Sequence, residues 1–206
     1  EDWVANRLVR AHIRILAALV LGHLLNAVVV AVAFYGRVPA ISLVLGCMAV
    51  AIVGAHRYWL GQSERKRFSR IGSQAMVWQL EANTLALALI ASGSLVALMP
   101  YGGAAHQLML AVVGMSLIGA AGYTMRTLPR AAIGYIAIIS VGLMAALLGT
   151  GTVVAIATCI LILATSLLLC RMALTAYSLF VVRIVRERER NSSIETVKML
   201  LNDFED

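Results

Sequence analysis

The chain has 206 residues, of which 61% are hydrophobic and only 13% are charged, and its mean hydropathy is +0.89. A soluble domain has roughly 45–50% apolar and about 25% charged residues, so this composition excludes a soluble globular protein and predicts a polytopic membrane protein. The net charge of +7 does not indicate a nucleic-acid partner, because the basic residues lie at the ends of apolar stretches, where membrane orientation accounts for them.

The chain begins with a short amphipathic lead, residues 1–12, in which Trp3 and several basic residues predict an anchor at the membrane interface. Six apolar stretches follow, and each is long enough to cross the bilayer. Turn residues at 36–39, 100–103 and 149–151 separate successive stretches. The expected fold is therefore all-α, with a six-span transmembrane bundle over residues 13–172. The predicted spans are residues 13–35, 40–60, 74–99, 105–125, 131–148 and 152–170.

The distribution of basic residues predicts the orientation of the bundle. If the N-terminus is cytoplasmic, every one of the 17 Lys and Arg residues except Arg37 falls on the cytoplasmic side. Both termini are then expected in the cytoplasm, in a bacterial inner membrane. The basic cluster at residues 64–67 and Arg70 predicts contact with anionic lipid. The outer loops are only a few residues long, so an external stimulus must be sensed inside the bundle or from the lipid.

The sixth span continues into a polar, heptad-like segment, residues 173–206. There is no Pro after Pro129 and no Gly after Gly151, which predicts one long helix or two in close succession. Apolar residues three and four apart predict a two-stranded coiled-coil seam and a homodimer. The two halves of the seam differ in register, and such a phase slip favours a switch between two packings. The predicted seam consists of Leu174, Tyr177, Val181 and Ile184, then Ile194, Val197, Leu201 and Phe204.

The last thirteen residues, Ile194 to Asp206, read IETVKMLLNDFED. This run resembles the lead-in helix that precedes PAS domains in bacterial membrane signalling proteins. Those proteins usually end in GGDEF and EAL modules, which make and degrade cyclic-di-GMP, or in histidine kinase modules. The resemblance implies that residues 173–206 lead to effector domains that this sequence does not contain. It assigns no catalytic residue here, and we find no catalytic constellation in the chain.

Two histidines are candidates for a site inside the bundle. His23 and Asn26 are three residues apart in the first span and share one face of that helix. His56 lies near the inner end of the second span, which runs antiparallel to the first. Together, His23 and His56 could ligate a haem or a copper ion; alternatively, His23 is held by a hydrogen bond between helices or senses protons.

The spans also contain a possible ion pair, many small residues and three cysteines. Arg57 and Glu81 are expected to form an ion pair near the inner interface. The abundant Gly and Ala residues indicate either tight helix packing or a cavity for an apolar or lipid-like ligand. The three cysteines, Cys47, Cys159 and Cys170, lie in apolar runs without metal-like spacing, so they predict neither a disulfide framework nor a zinc site.

These features together favour a sensory input module. We expect a membrane or periplasmic stimulus to act on the bundle and to be relayed through a dimeric helix to cytoplasmic signalling domains, with cyclic-di-GMP turnover as the favoured output. A small-molecule transporter is one alternative, and it requires discontinuous spans around a polar site. A haem- or metal-binding intramembrane protein is the other.

Overall fold

The computed structural model describes the backbone of residues 2–67, 73–125 and 127–205, and the side chains of residues 15–60, 75, 77–125, 127–187, 189, 190, 193 and 194. Its regular elements in these ranges are all helical, as the sequence predicts. Six helices are long and apolar enough to cross a membrane, which supports a multi-pass membrane protein. They are α1 (Asp2–Ala33), α2 (Ala40–Arg67), α3 (Ser73–Leu98), α4 (Ala104–Thr124), α5 (Pro129–Leu148) and α6 (Val153–Glu205), with a short 3-10 turn, Met99–Tyr101, between α3 and α4.

The first and last helices are longer than membrane spans. The predicted lead and the predicted first span belong to one helix, α1, which begins at Asp2. Likewise, α6 is a single helix of 53 residues, so the choice between one helix and two is settled in favour of one. At about 1.5 Å per residue, α6 is roughly 80 Å long, whereas the apolar core of a bilayer is only about 30 Å thick.

Local sequence signals determine where the helices begin and end. Gly36, in the turn after α1, has a φ of 78°, which a residue without a Cβ atom adopts at low cost. Pro129 occupies the first turn of α5, where its missing N–H leaves no hydrogen bond unmade. The turn into α6 uses Gly151, with a φ of 67°, and the Thr152 hydroxyl accepts a hydrogen bond from the Ala155 N–H at 3.2 Å, which caps the new helix.

Helix α5 is the centre of the bundle and packs against α3, α4 and α6. Ten of its residues are buried, including Tyr135, Ser140 and Gly142. Its contact with α3 is close: a Cβ atom built on Gly142 would lie 3.3 Å from the Cα atom of Ser92. Small residues on α5 therefore let two backbones approach, as the packing interpretation of the Gly and Ala content predicts.

Helix α6 presents one stripe to the bundle and leaves the opposite face exposed. The buried stripe steps by three, four or seven residues through Ala155, Cys159, Ile162, Ser166 and Ala173, and a half-buried line continues from there to Ile184. Ser166 is also hydrogen-bonded to Ser140 of α5, with 2.6 Å between the two hydroxyl oxygens. Since lipid is as apolar as a protein core, the exposed apolar residues along the spanning half of α6 need no protein partner.

Candidate functional site

A cavity of about 360 Å³ lies between α1, α2, α3 and α4. It is lined mainly by aliphatic side chains and small residues, and it contains the predicted pair His23 and Asn26. The exposed residues Pro39, Ser42 and Tyr101 line its other end, beside the turns that follow α1 and α3. The cavity therefore extends from these turns to the middle of the α1 span, within one half of the bundle.

Asn26 is a half-buried polar group in this apolar lining. Among the residues that the structure describes, its carboxamide has no hydrogen-bond partner. A carboxamide has two donor hydrogens and a carbonyl acceptor, and leaving them unpaired in a membrane interior is unfavourable. Asn26 is thus available to bind a polar group that enters the cavity.

His23 is only 9% exposed, and both of its ring nitrogens are hydrogen-bonded. Nδ1 lies 2.8 Å from the backbone oxygen of Leu19, which can only accept, so Nδ1 carries the proton. Nε2 of the neutral ring then accepts the hydroxyl proton of Tyr135 at 2.7 Å. The two rings also meet edge to face, at 5.7 Å between centroids. His23 therefore joins the wall of the cavity to the central helix α5.

Arg57 of α2 is fully buried beside this pair. It interacts electrostatically with both Tyr135 and His23. A buried cation near the phenol oxygen is favourable because that oxygen carries partial negative charge. Side chains of α1, α2 and α5 thus meet in one polar cluster, defined here as His23, Arg57 and Tyr135.

The helix that carries Tyr135 of the polar cluster is also hydrogen-bonded to α6. Tyr135 and Ser140 both lie on α5, five residues apart, and Ser140 is bonded to Ser166 of α6. His23 is therefore hydrogen-bonded to the same helix against which α6 packs.

The other predicted site residues lie elsewhere. His56 is exposed, stacks on Trp59 at 6.5 Å between centroids, and its Nδ1 donates to Asn83 Oδ1 of α3 at 3.3 Å. Glu81 of α3 has its electrostatic partner in Arg130 of α5. The ion pair between Arg57 and Glu81 stays a prediction.

The arrangement does not suit a haem or copper site built on His23 and His56. His23 faces α5 with both nitrogens engaged, whereas His56 faces α3. Within the described part of the chain, no group of three or more His, Cys, Asp or Glu side chains is placed to hold a metal ion. All six helices are continuous over their described lengths. The transporter alternative stays a hypothesis that these observations do not test.

The predicted seam on α6 is partly covered within a single chain. Leu174 is 49% exposed and Ile194 43%, Tyr177 and Val181 are half-buried, and Ile184 is only 4% exposed. The apolar residues that remain well exposed beyond Arg171 include Met172, Leu179 and Val182. The side chains of Val197, Leu201 and Phe204 lie outside the described residues, as do those of the basic cluster at 64–67 and Arg70.

Sequence reasoning identified His23 and Asn26 but missed Tyr135. A tyrosine within an apolar span is itself a signal, since its hydroxyl needs a partner there. The positions of Arg57 and Glu81 also depend on how α5 packs, which no local pattern encodes. No protein-family model, curated protein or solved structure gives a significant match to this chain.

Proposed function

We propose that this chain is a transmembrane sensory input module, in which the state of the six-helix bundle is relayed along α6 to signalling domains on the cytoplasmic side. The observation that carries the proposal is the continuity of α6. One unbroken helix of 53 residues packs on the centre of the bundle and then extends roughly 50 Å beyond a bilayer-thick segment. A helix that only anchored the chain would need no such extension.

The module acts as a homodimer through α6, with both termini in the cytoplasm of a bacterial cell. Ile184 is buried within its own chain, so it is not available to contact a second copy. We expect the dimer contact on the neighbouring exposed residues Met172, Leu179 and Val182. These residues are separated by seven and three positions, the spacing of a two-stranded coiled coil. Cyclic-di-GMP turnover is the favoured output, on the resemblance of Ile194 to Asp206 to helices that precede PAS domains.

Disulfide crosslinking in native membranes tests the dimer. The three native cysteines are replaced by serine, and single cysteines are introduced along α6. Leu179→Cys and Val182→Cys are expected to crosslink efficiently between copies. The matched controls Ala173→Cys and Ile184→Cys, at positions 0% and 4% exposed within the chain, are expected to crosslink at least several-fold less. Equal efficiency at all four positions, or none at any, would contradict a dimer that pairs through this face.

A further inference from the structure

The size of the cavity limits what it can hold. Its volume of about 360 Å³ is near the lower end of small-molecule sites, which span roughly 300–1,000 Å³. Taking about 30 Å³ for each water-sized group, the cavity accommodates roughly a dozen non-hydrogen atoms. A whole phospholipid is too large, whereas a single medium-length chain with a small polar end fits.

The lining also indicates the charge of the occupant. No Asp, Glu, Lys or Arg side chain lines the cavity among the described residues. A charged ligand would lose its hydration without gaining a counter-ion, which is strongly unfavourable. The occupant is therefore uncharged.

Asn26 identifies the polar end. Most of the lining is aliphatic, and the other polar side chains that line it are engaged or lie at the opening. Ser94 donates to Ile90 O at 2.8 Å, and Cys47 donates weakly to Ala27 O at 3.6 Å. The Asn26 carboxamide has donors and an acceptor available, so it pairs best with a group that is both donor and acceptor, such as a hydroxyl or a primary amide.

We propose that this cavity binds one uncharged amphiphile of about a dozen non-hydrogen atoms, with its hydroxyl or amide end on Asn26 and its apolar chain towards Tyr101. The site deepens the proposed function, because the ligand lies against His23 and so reaches Tyr135 of α5. Its binding is nevertheless measurable without any signalling output.

Gly46 offers a way to fill the cavity. It lines the cavity, and a Cβ atom built on it meets no other atom within 4 Å. Gly46→Leu therefore adds its Cβ atom without a clash, and we expect the rest of the side chain to occupy ligand space. Gly93 of α3 is the matched control, since its Cβ atom would also meet nothing within 4 Å but it does not line the cavity.

The test uses 1-decanol carrying a diazirine in its chain, with the full chain reconstituted in lipid nanodiscs. After illumination, labelled residues are mapped by mass spectrometry. Labelling is expected to concentrate on the cavity lining, to fall about tenfold in Gly46→Leu and to stay unchanged in Gly93→Leu. Unlabelled 1-decanol should compete about tenfold better than decane, and Asn26→Leu should abolish that preference, because a buried hydrogen bond to the hydroxyl is lost.

Labelling spread evenly over lipid-exposed faces would overturn the site, as would an equal reduction in both glycine variants. If decane competes with the labelled probe as strongly as 1-decanol does in the unsubstituted chain, Asn26 does not bind the hydroxyl. This comparison needs no variant, so it holds even if the substituted chains do not fold. Decanoate and decyltrimethylammonium should compete poorly, and strong competition by either would contradict an uncharged occupant. Crosslinking along α6 is measured separately. Failure of the cavity to bind the probe and failure of α6 to form a dimer therefore give different results.

Discussion

At the scale of single residues, the hydrogen bond between His23 and Tyr135 connects two helices that are distant in the sequence. It joins a residue of the cavity wall to the central helix over 2.7 Å. His23 was recognisable in the sequence as a polar group in an apolar span. Its partner was not, because a hydrogen bond between positions 112 apart depends on how the helices pack and leaves no local pattern.

Tyr135→Phe tests this contact. The substitution keeps the ring and removes only the hydroxyl, so Nε2 of His23 is left buried without its donor. We expect the free energy of unfolding to fall by about 1–3 kcal/mol, the usual cost of an unsatisfied buried polar atom. The measurement is denaturant- or heat-induced unfolding of the purified chain in detergent micelles.

The control for that experiment is Tyr35→Phe, because the Tyr35 side chain is 78% exposed in the turn after α1. We expect this control to change stability by no more than about 0.5 kcal/mol. A loss as large as that of Tyr135→Phe would show that the Tyr135 hydroxyl contributes nothing particular to the fold.

Ser166→Ala should cost much less than Tyr135→Phe. The substitution breaks the 2.6 Å hydrogen bond between α5 and α6. The remaining Ser140 hydroxyl, however, can turn to a carbonyl four residues earlier in its own helix, as Thr84 does with Leu80 at 2.7 Å. We expect a loss of about 0.6 kcal/mol, typical of hydrogen bonds between membrane helices. A loss above about 2 kcal/mol would show that Ser140 lacks this alternative.

At the scale of elements, hydropathy and turn residues predicted the number of long helices and most of their limits, although α1 begins at Asp2 and includes the predicted lead. Long apolar runs, turn residues and the absence of Pro and Gly after residue 151 were sufficient, since a spanning segment must satisfy its backbone internally. The sequence left open whether the tail continued the sixth span in one helix. It also did not show that α5 is central, because all the spans are similarly apolar and burial depends on contacts between them.

Gly142 lies where α3 and α5 make their close contact. A Cβ atom at Gly142 would lie 2.9 Å from Ser92 Cβ and 3.3 Å from its Cα, so the helices must separate to admit it. Gly142→Ala should therefore destabilise the bundle by about 1–3 kcal/mol, the range found for overpacked cores. Unfolding in micelles measures the loss.

Gly93→Ala is the matched control, since no atom lies within 4 Å of its added Cβ. Alanine also favours the helix by up to about 1 kcal/mol relative to glycine, so this variant should be as stable as the unsubstituted chain or slightly more stable. If both variants lose stability equally, the close approach of α3 and α5 is not what Gly142 permits.

At the scale of the whole molecule, the cavity, the polar cluster and α6 form one connected path through α5. Two of its steps are hydrogen bonds between helices, from His23 to Tyr135 and from Ser140 to Ser166. Asn26 and His23 both line the cavity, and Tyr135 and Ser140 both lie on α5. The sequence indicated a sensor because of its tail, and it left open whether its small residues serve packing or a cavity. The structure contains both, in different places: close packing at Gly142 and open space at Gly46.

The most direct test of the relay is the distance between two copies of α6, measured by pulsed electron paramagnetic resonance in nanodiscs. A spin label is attached to Leu179→Cys in a chain whose native cysteines are serine. The account predicts a defined distance between labels that shifts or broadens in Tyr135→Phe and stays the same in Tyr35→Phe. Absence of coupling between labels, or one distribution shared by all three proteins, would contradict a bundle that controls a paired helix.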